Sequence, residues 1–289
     1  MTDKVRIYEV GPRDGLQNET ARVPTARKIA LIDLLSRAGF RKIETTSFVS
    51  PKWVPQLADA AEVMAGITRA PGVDYAVLTP NLKGLDRAIA AAADEVAVFG
   101  SASEGFSQKN INCSIAESLE RFEQVVAAAG QAGLKVRGYV SCVAGCPYDG
   151  RVSPNAVRDV AARLFAMGCY EISLGDTIGA GTPDTIAAMI DEVLDDVPPD
   201  RLAGHFHDTG NRALDNVRAA LGLGLRTFDS AVGGLGGCPY APGARGNVST
   251  AALVDMLEAE GWATGIDPAV LAEAEAVIRG LAGARTDER

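Results

Sequence analysis

The chain of 289 residues repeats one pattern eight times: a short β-like run, then turn-forming residues, then an amphipathic stretch rich in Ala and Leu. Strands joined by helices pair in parallel, so the pattern limits the fold to an open doubly wound sheet or a closed barrel. Eight units over about 230 residues favour the barrel, and no Gly-x-Gly-x-x-Gly turn supports the doubly wound sheet. The sequence therefore predicts an α/β fold, a single (β/α)8 barrel of the TIM type.

The predicted elements form one domain, 1–289, with the barrel at about 4–262 and a C-terminal helix and tail at about 263–289. A helix at 268–281 is expected to close the bottom of the barrel or to pack on a second subunit. The predicted strands are 5–10, 42–45, 74–78, 95–99, 135–140, 171–174, 202–207 and 227–231. The predicted helices include 25–39, 85–93, 114–133, 154–168, 183–197 and 211–224.

Composition and charge limit the classes of partner. A net charge of -9 and a pI near 4.9 argue against a nucleic-acid-binding surface, so an anionic ligand must meet local Arg, Lys or metal charges. No apolar run approaches the roughly 18 residues of a membrane span, and the first strand begins too early for a signal or transit peptide. A cytoplasmic protein is expected. The odd number of cysteines, 5, indicates reduced thiols rather than a disulfide framework.

Polar side chains lie in or directly after most of the predicted strands. The carboxyl ends of barrel strands meet on one face, where TIM-barrel enzymes carry their active sites. Charged side chains are rarely buried unless they are paired or ligated, so their convergence predicts an active site on that face. The residues are Arg13 and Asp14 after the first strand, Glu44 in the second, Tyr139 in the fifth, Asp176 after the sixth, and His205 and His207 in the seventh.

His205 and His207 are the only 2 histidines of the chain. Residues i and i+2 of a strand share a face, so the two imidazoles project together as a pair of metal ligands. With the carboxylate of Asp14 and the amide oxygen of Asn247, this mixed set suits an octahedral Mg²⁺ or Mn²⁺. Zinc is the competing metal if the Cys238 thiolate joins the set, and two hydrogen-bonded core histidines are the alternative without a metal.

Arg13 stands beside Asp14 at a tight turn led by Gly and Pro, and its fork of donors suits a developing oxyanion. Glu44, on the neighbouring strand, is placed to hold the guanidinium by a charge-assisted hydrogen bond. A structural Arg–Glu pair is the alternative.

A glycine-rich segment follows the eighth strand, with four glycines among residues 233–238. So many glycines predict a loop that moves or approaches a ligand closely. A cysteine at its tip, Cys238, can deliver or remove a proton when the loop closes. A flexible connector with an incidental thiol is the alternative.

Long motifs around these residues resemble the hydroxymethylglutaryl-CoA lyase family of TIM-barrel metallolyases. The match covers essentially the whole chain, and the cysteine-bearing glycine loop distinguishes the lyases from related Claisen-type synthases. The segments that carry it are 9–19 (EVGPRDGLQNE), 43–56 (IETTSFVSPKWVPQ), 78–84 (LTPNLKG), 109–114 (KNINCS), 137–142 (RGYVSC), 168–179 (GCYEISLGDTIG) and 235–241 (LGGCPYA).

The resemblance implies cleavage of 3-hydroxy-3-methylglutaryl-CoA to acetyl-CoA and acetoacetate, in leucine or related branched-acid catabolism. A bound Mg²⁺ or Mn²⁺ would make the C3 alkoxide easier to form. Arg13, braced by Glu44, would stabilise the enolate oxygen, and Cys238 would protonate the enolate carbon. His205, Asp14 or a bound water is a candidate base for the hydroxyl. The implied metal ligands are Asp14, His205, His207 and Asn247.

The same resemblance implies further contacts with the substrate. Gln17, Tyr139 and Asp176 match residues near the site in the family. Lys109 and Asn110 fall where members contact coenzyme A, and Lys109 is suited to a phosphate. A homodimer is expected.

Departures from the family motif leave three alternatives open. The loop opens Ala-Val-Gly-Gly at 231–234 rather than Ser-Val-Ala-Gly, which leaves room for a lyase acting on a longer 3-alkyl substrate. A Claisen-type synthase is the second alternative, although such enzymes typically add a C-terminal domain. The third is a metal- or acyl-CoA-binding protein without activity.

Overall fold

The fold is a closed barrel of eight parallel strands, which confirms the predicted fold class. The computed structural model describes residues 3–19, 21–236 and 246–283. The barrel strands are β1 (Arg6–Glu9), β2 (Lys42–Ser47), β3 (Asp74–Leu78), β4 (Glu95–Ser101), β5 (Lys135–Ser141), β6 (Glu171–Asp176), β7 (Leu202–Phe206) and β8 (Thr227–Ser230). Each strand pairs with its neighbours in sequence, and β1 closes the ring because it pairs with both β2 and β8.

Within the described residues, ten α-helices surround the barrel. They are α1 (Thr25–Arg37), α2 (Ala60–Gly66), α3 (Leu82–Ala90), α4 (Glu104–Ile111), α5 (Ile115–Gln131), α6 (Pro154–Ala166), α7 (Pro183–Val193), α8 (Ala213–Gly222), α9 (Thr250–Ala259) and α10 (Pro268–Gly283). All predicted helices are present, with ends that differ by a few residues. Sequence reasoning missed α2, α4 and α9, together with a small hairpin that pairs Gly145–Cys146 with Gly150–Arg151.

Four strands, β2, β4, β5 and β6, extend beyond their predicted ends because their neighbours supply backbone partners there. β6 was predicted to stop at residue 174, but Gly175 and Asp176 continue it in register with His205 and Phe206 of β7. In the same way β4 continues to Ser101, opposite the last residue of β5. Small and polar residues at a strand end resemble a turn in sequence, whereas strand pairing depends on backbone groups alone.

Local signals fix the ends of the helices, as α5 illustrates. The Ser114 hydroxyl accepts a hydrogen bond from the Glu117 N–H at 3.2 Å, and the Glu117 carboxylate accepts one from the Ser114 N–H at 2.8 Å. This capping box satisfies two N–H groups that a helix leaves free at its start. After the helix, Gly133 adopts a left-handed conformation (φ 74°) that turns the chain towards β5.

The barrel interior is unusually polar for a TIM barrel, where branched apolar side chains dominate. Arg137 of β5 is fully buried, and its guanidinium lies 4.0 Å from the centre of the Tyr8 ring. Its Nε donates to Glu171 of β6 at 2.9 Å, and its Nη2 donates to Asp229 of β8 at 2.7 Å. Because these partners belong to three other strands of the ring, β1, β6 and β8, the side chain must cross the interior.

Glu9 lies where the first strand, β1, pairs with the last strand, β8, and closes the ring. Its Oε1 accepts hydrogen bonds from the N–H groups of Gly11 (2.7 Å) and Val232 (2.9 Å), and its Oε2 accepts one from the Thr250 hydroxyl (2.7 Å). One buried carboxyl group thereby links β1, the segment after β8 and the start of α9. A Cβ at position 11 would lie 2.6 Å from Glu9 Oε1, so this link requires glycine there.

The C-terminal helix α10 does not close the bottom of the barrel. It begins beside the end of α1, where the Asp267 N–H donates to the Ala38 carbonyl at 2.8 Å. Further along, Ile278 packs against Gly233 in the short helical turn Val232–Gly234, which follows β8. The helix therefore lies along the side of the barrel and supports the face formed by the carboxyl ends of the strands. The domain limits stay a prediction. No helix in the described part of the chain is long and apolar enough to cross a membrane.

Glu9 should make stability depend on pH. Burial raises the pKa of Glu9 from 4.5 to about 7, against the lowering effect of its hydrogen bonds. The native state therefore keeps a proton that the unfolded chain loses. This contribution to stability is fully present below pH 4.5 and is lost as the pH rises to 7, by about 3 kcal/mol at most.

We expect Glu9→Gln to gain stability relative to the wild type between about pH 5 and pH 8, because its amide has no proton to lose. Urea unfolding at a series of pH values measures the difference. Glu120→Gln, on the exposed face of α5, is the control and should follow the wild-type profile. A Glu9→Gln difference that stays constant with pH would contradict the assignment.

Candidate active site

The turn after β1 directs Arg13 and Asp14 to the centre of the carboxyl-end face. The N–H groups of Asp14 and Gly15 both bond to the Val10 carbonyl, at 2.8 and 3.2 Å, so Gly11–Gly15 forms a single wide π-helical turn. Such turns insert an extra residue and are frequent at functional sites. The Gly-Pro-Arg-Asp-Gly sequence predicted a turn here, but its width is evident only from the structure.

Arg13 is fixed between two carboxylates. Its Nε donates to Glu44 Oε2 and its Nη1 donates to Asp14 Oδ1, each at 2.6 Å. Burial alone would lower the pKa of Arg13, but the charges of Glu44 and Asp14 outweigh it and hold the pKa above its usual value. The guanidinium therefore stays cationic in a buried position, 5.7 Å from the Tyr139 ring centre. This is a preorganised donor for an anionic group.

Asp14, His205 and His207 form a cluster that can hold a metal ion, because one ligand atom of each lies within 4.8 Å of the others. The Asp14 Oδ2 atom lies 3.9 Å from His205 Nε2 and accepts a hydrogen bond from Asn247 Nδ2 at 2.8 Å. An antiparallel bridge between Asn247 and His207 brings the amide to this position. His207 was predicted as the end of the seventh strand, and it lies one residue beyond β7. The structure thus brings the four predicted ligands together.

The donor set of the cluster fits a divalent cation. Within the described residues, His207 Nδ1 and Asn247 Oδ1 are buried acceptors without a hydrogen-bond partner. An unsatisfied buried polar atom is costly, and a cation supplies the missing interaction. Burial and then the neighbouring His205 lower the pKa of His207 to about 4, so this ring is neutral near pH 7 and can donate a lone pair.

Asp14, the carboxylate of the cluster, is ionised, as a metal ligand must be. Burial alone would raise the pKa of Asp14, but the charges of Arg13 and of the two imidazoles hold it well below its usual range. The described donors of the cluster are nitrogen and oxygen atoms. Cys238, the thiolate on which the zinc alternative depends, lies outside the described residues.

An open cavity of about 930 Å³ lies over the cluster, a size typical of small-molecule sites. Eight of the predicted site residues line it: Arg13, Asp14, Gln17, Lys109, Asn110, Tyr139, His205 and His207. Asp176 does not line the cavity. Its carboxylate accepts hydrogen bonds from the N–H groups of Ala180 (3.0 Å) and Gly181 (2.8 Å) and so fixes the loop after β6.

Sequence reasoning missed Asp229, which touches the cluster from β8. Its Oδ2 lies 3.0 Å from His205 Nδ1, and the two residues are directly opposite in the pairing of β7 with β8. Burial alone would raise the pKa of Asp229, but Arg137 and His205 lower it to about 2, so the group is a carboxylate. An acidic residue inside an apolar strand was the available signal. Its position opposite a histidine depends on the register of two strands, and the sequence pattern does not determine that register.

The predicted proton donor Cys238 lies outside the described residues. The described part of the glycine segment ends at Gly236, where a Cβ would lie 2.6 Å from Asn247 Nδ2. The segment therefore approaches the metal-ligand cluster so closely that position 236 requires glycine.

Known proteins are similar to this chain over most of its length. A family model described as HMGL-like matches residues 4–278. The chain is 58% identical over 286 residues to the mitochondrial hydroxymethylglutaryl-CoA lyase of Bos taurus, covering 99% of this chain and 88% of the relative. It is 61% identical over 263 residues to the cytoplasmic 3-hydroxy-3-methylglutaryl-CoA lyase of Danio rerio, covering 91% and 78%. The crystal structure of the HMG-CoA lyase from Brucella melitensis has a TM-score of 0.95 at 62% identity, covering 96% of this chain and 99% of that one.

Asp14→Asn tests whether the cluster binds a cation. The change keeps the shape of the side chain but removes its charge, so the metal-stripped variant should bind Mn²⁺ about 100-fold more weakly than the wild type in isothermal titration calorimetry. Asp59→Asn is the matched control, because Asp59 is also buried and paired, with Lys28 at 2.7 Å. It should leave Mn²⁺ affinity within about twofold. Equal affinity in wild type and Asp14→Asn would exclude the cluster as the site.

Proposed function

The chain belongs to the HMGL-like family, and on that premise we propose that it is a hydroxymethylglutaryl-CoA lyase, a carbon–carbon lyase that cleaves 3-hydroxy-3-methylglutaryl-CoA to acetyl-CoA and acetoacetate. The observation that carries the proposal is the 2.6 Å contact of Arg13 with Asp14, which sets a cationic donor beside the ligand cluster. In this substrate the hydroxyl and the thioester oxygen are carried by C3 and C1, which are only two bonds apart. The two must therefore be held by groups that are themselves in contact.

We propose that Asp14, His205, His207 and Asn247 hold a divalent cation, Mg²⁺ or Mn²⁺. When bound, such a cation would make the C3 hydroxyl of the substrate easier to deprotonate. Support comes from the two unsatisfied acceptors, His207 Nδ1 and Asn247 Oδ1, and from the ionised state of Asp14.

Cleavage begins when the C3 hydroxyl loses its proton and the C2–C3 bond breaks. C3 becomes the ketone carbon of acetoacetate, and the electron pair of the broken bond passes to the thioester, which becomes the enolate of acetyl-CoA. Asp14 or a bound water is proposed to take the hydroxyl proton, because the carboxylate keeps lone pairs beyond the one that a cation would use. His205 is the other candidate base, and it can act only while its Nε2 is not a metal ligand.

Arg13 stabilises the enolate oxygen as charge develops on it. A donor that is already oriented needs no reorganisation during the reaction, and Glu44 supplies that orientation through its bond to Arg13 Nε. Cys238 then gives its proton to C2, which completes acetyl-CoA, and the thiolate regains a proton from solvent. Gln17 and Tyr139 contact the acyl part, and Asp176 holds the loop after β6.

The remaining parts of the proposal concern the rest of the substrate and the setting of the enzyme. Lys109 and Asn110, near the end of α4, line the cavity, and we propose that they contact coenzyme A, with Lys109 meeting a phosphate. The active form is a homodimer that serves leucine or related branched-acid catabolism, with acetoacetate as the ketone-body product. Relatives are named for both mitochondria and cytoplasm, and a cytoplasmic location is proposed here.

The lyase is preferred to the two other classes of function considered. The lyases of Bos taurus, Danio rerio and Brucella melitensis align with this chain over most of their length, which argues against a Claisen-type synthase and against a binding protein without activity. A longer 3-alkyl group on the substrate stays an open extension of the same reaction.

Restoration of turnover by metal tests the reaction and the cofactor together. Metal-stripped protein should release little acetoacetate from 3-hydroxy-3-methylglutaryl-CoA, and added Mg²⁺ or Mn²⁺ should restore release. Longer 3-alkyl analogues assayed in parallel measure the breadth of the substrate pocket. No release by a protein that binds metal and has a reduced thiol would reject the proposed substrate.

Cys238→Ser tests the proton donor. A serine hydroxyl is a far weaker acid than a thiol, so kcat should fall by about 10²–10⁴-fold while the Mn²⁺ dissociation constant stays unchanged. Cys169→Ala removes a buried thiol that does not line the cavity and should keep both quantities near wild type. A wild-type kcat in Cys238→Ser would contradict the assignment of Cys238 as the proton donor.

A further inference from the structure

Asp229 holds His205 by the ring nitrogen that faces away from Asp14. Asp229 Oδ2 lies 3.0 Å from His205 Nδ1, whereas His205 Nε2 faces Asp14 Oδ2 at 3.9 Å. An ionised carboxylate can only accept hydrogen bonds, so Nδ1 must carry the proton. In the neutral ring the lone pair then lies on Nε2, the atom directed at the cluster.

Asp229 is in turn held in a fixed plane by Arg137. Two parallel bonds join them, from Arg137 Nη2 to Oδ1 at 2.7 Å and from Arg137 Nη1 to Oδ2 at 3.0 Å. Ser173 adds a third donor, its hydroxyl, at 2.8 Å from Oδ2. Arg137 itself is anchored through Nε by Glu171 at 2.9 Å. A bidentate pair that is anchored at both ends leaves the carboxylate little freedom to rotate.

The other histidine of the cluster is held differently. Within the described residues, His207 Nδ1 has no hydrogen-bond partner, and no carboxylate contacts that ring nitrogen. The strand register explains the difference, because Asp229 lies directly opposite His205 in the pairing of β8 with β7.

We propose that Asp229 is a positioning residue of the metal centre, which fixes both the orientation and the tautomer of His205, and that Arg137 serves to hold Asp229 in place. The inference rests on the proposed metal-dependent function and extends it to residues that the cation does not touch. Histidine ligands of metal sites commonly donate their second ring N–H to a carboxylate, and loss of that carboxylate typically costs 10–100-fold in metal affinity.

A purely structural role for the pair accounts for less of the geometry. Burying an Arg–Asp pair gains little stability, since desolvation offsets most of the attraction. The buried positive charge of Arg137 needs carboxylate partners, and Glu171 already provides one of them. The bond from His205 to Asp229 adds nothing to that balance, but it determines which ring nitrogen is free.

Asp229→Asn is the direct test in the full-length, metal-stripped protein. The amide carries an NH₂ group where the carboxylate had an acceptor, so either Arg137 or His205 loses its partner. If the NH₂ faces His205, the ring must move its proton to Nε2 and block the cluster. Titration with Mn²⁺ alone should show a dissociation constant 10–100-fold higher than that of the wild type.

Glu95→Gln is the matched control. Glu95 of β4 is also buried in the barrel, but its hydrogen bonds come from Lys42, Tyr8 and Tyr170, and none comes from Arg137 or His205. Glu95→Gln should disturb the buried charges to a similar degree and leave the Mn²⁺ dissociation constant within about threefold of wild type. Equal weakening in both variants would reduce Asp229 to a structural role and overturn the inference.

A measurement on the wild-type protein keeps the inference testable if Asp229→Asn does not fold. The chain has only 2 histidines, so ¹⁵N-histidine labelling yields two imidazole spin systems, and His207→Gln assigns them. At a pH where both rings are neutral, His205 should hold its proton on Nδ1, protected from exchange, and Mg²⁺ should shift its Nε2 resonance. A His205 proton on Nε2 would overturn the inference.

The two proposals fail in different ways. If wild-type protein binds no Mn²⁺, the metal-dependent function and the role of Asp229 both fall. If the wild type binds Mn²⁺ and releases acetoacetate, but Asp229→Asn binds equally well, only the positioning role is rejected.

Discussion

Parallel pairing around a closed ring brings the carboxyl ends of all eight strands to one face, and the rest of the molecule depends on that constraint. Residues far apart in sequence become neighbours without any dedicated binding domain. Arg13 and Asp14 come from the turn after β1, Glu44 from β2, and the histidines from the end of β7. Each is placed by a strand that is hydrogen bonded on both sides, so the site is built on rigid elements, as accurate orientation of reacting groups requires.

The interior of this barrel carries charge as well as apolar packing. Buried ions are expensive unless they are paired, and both buried guanidinium groups here have two carboxylate partners: Arg137 with Asp229 and Glu171, and Arg13 with Glu44 and Asp14. Asp14 divides its two oxygens between Arg13 and the ligand cluster. A single carboxylate therefore joins the part of the site that stabilises an oxyanion to the part that suits a cation, and changes at one will be felt at the other.

Much of this arrangement could be read from the sequence, because periodicity and composition determine the number and type of elements. The eight strands and the pairing of Arg13 with Glu44 follow from local pattern and strand adjacency. The wide turn at Gly11–Gly15, the link made by Glu9 and the contact of Asp229 with His205 could not be predicted. Each depends on register or on backbone geometry, and a shift of one residue along a strand would abolish it. Cys238, the predicted donor on the glycine segment, lies outside the described residues and stays a prediction.

The bond between Asn247 and Asp14 spans 233 positions of sequence, and the bond between Thr250 and Glu9 spans 241. During synthesis, the N-terminal half of the cluster therefore leaves the ribosome long before its partners exist. Contacts of such long range form late in folding, after the intervening chain has been ordered. An incomplete chain that ends before residue 247 can pair β1 with β8, but it lacks one of the four candidate ligands and the bond from Thr250 to Glu9. The candidate metal site is therefore complete only when the segment after the last strand has been added to the barrel.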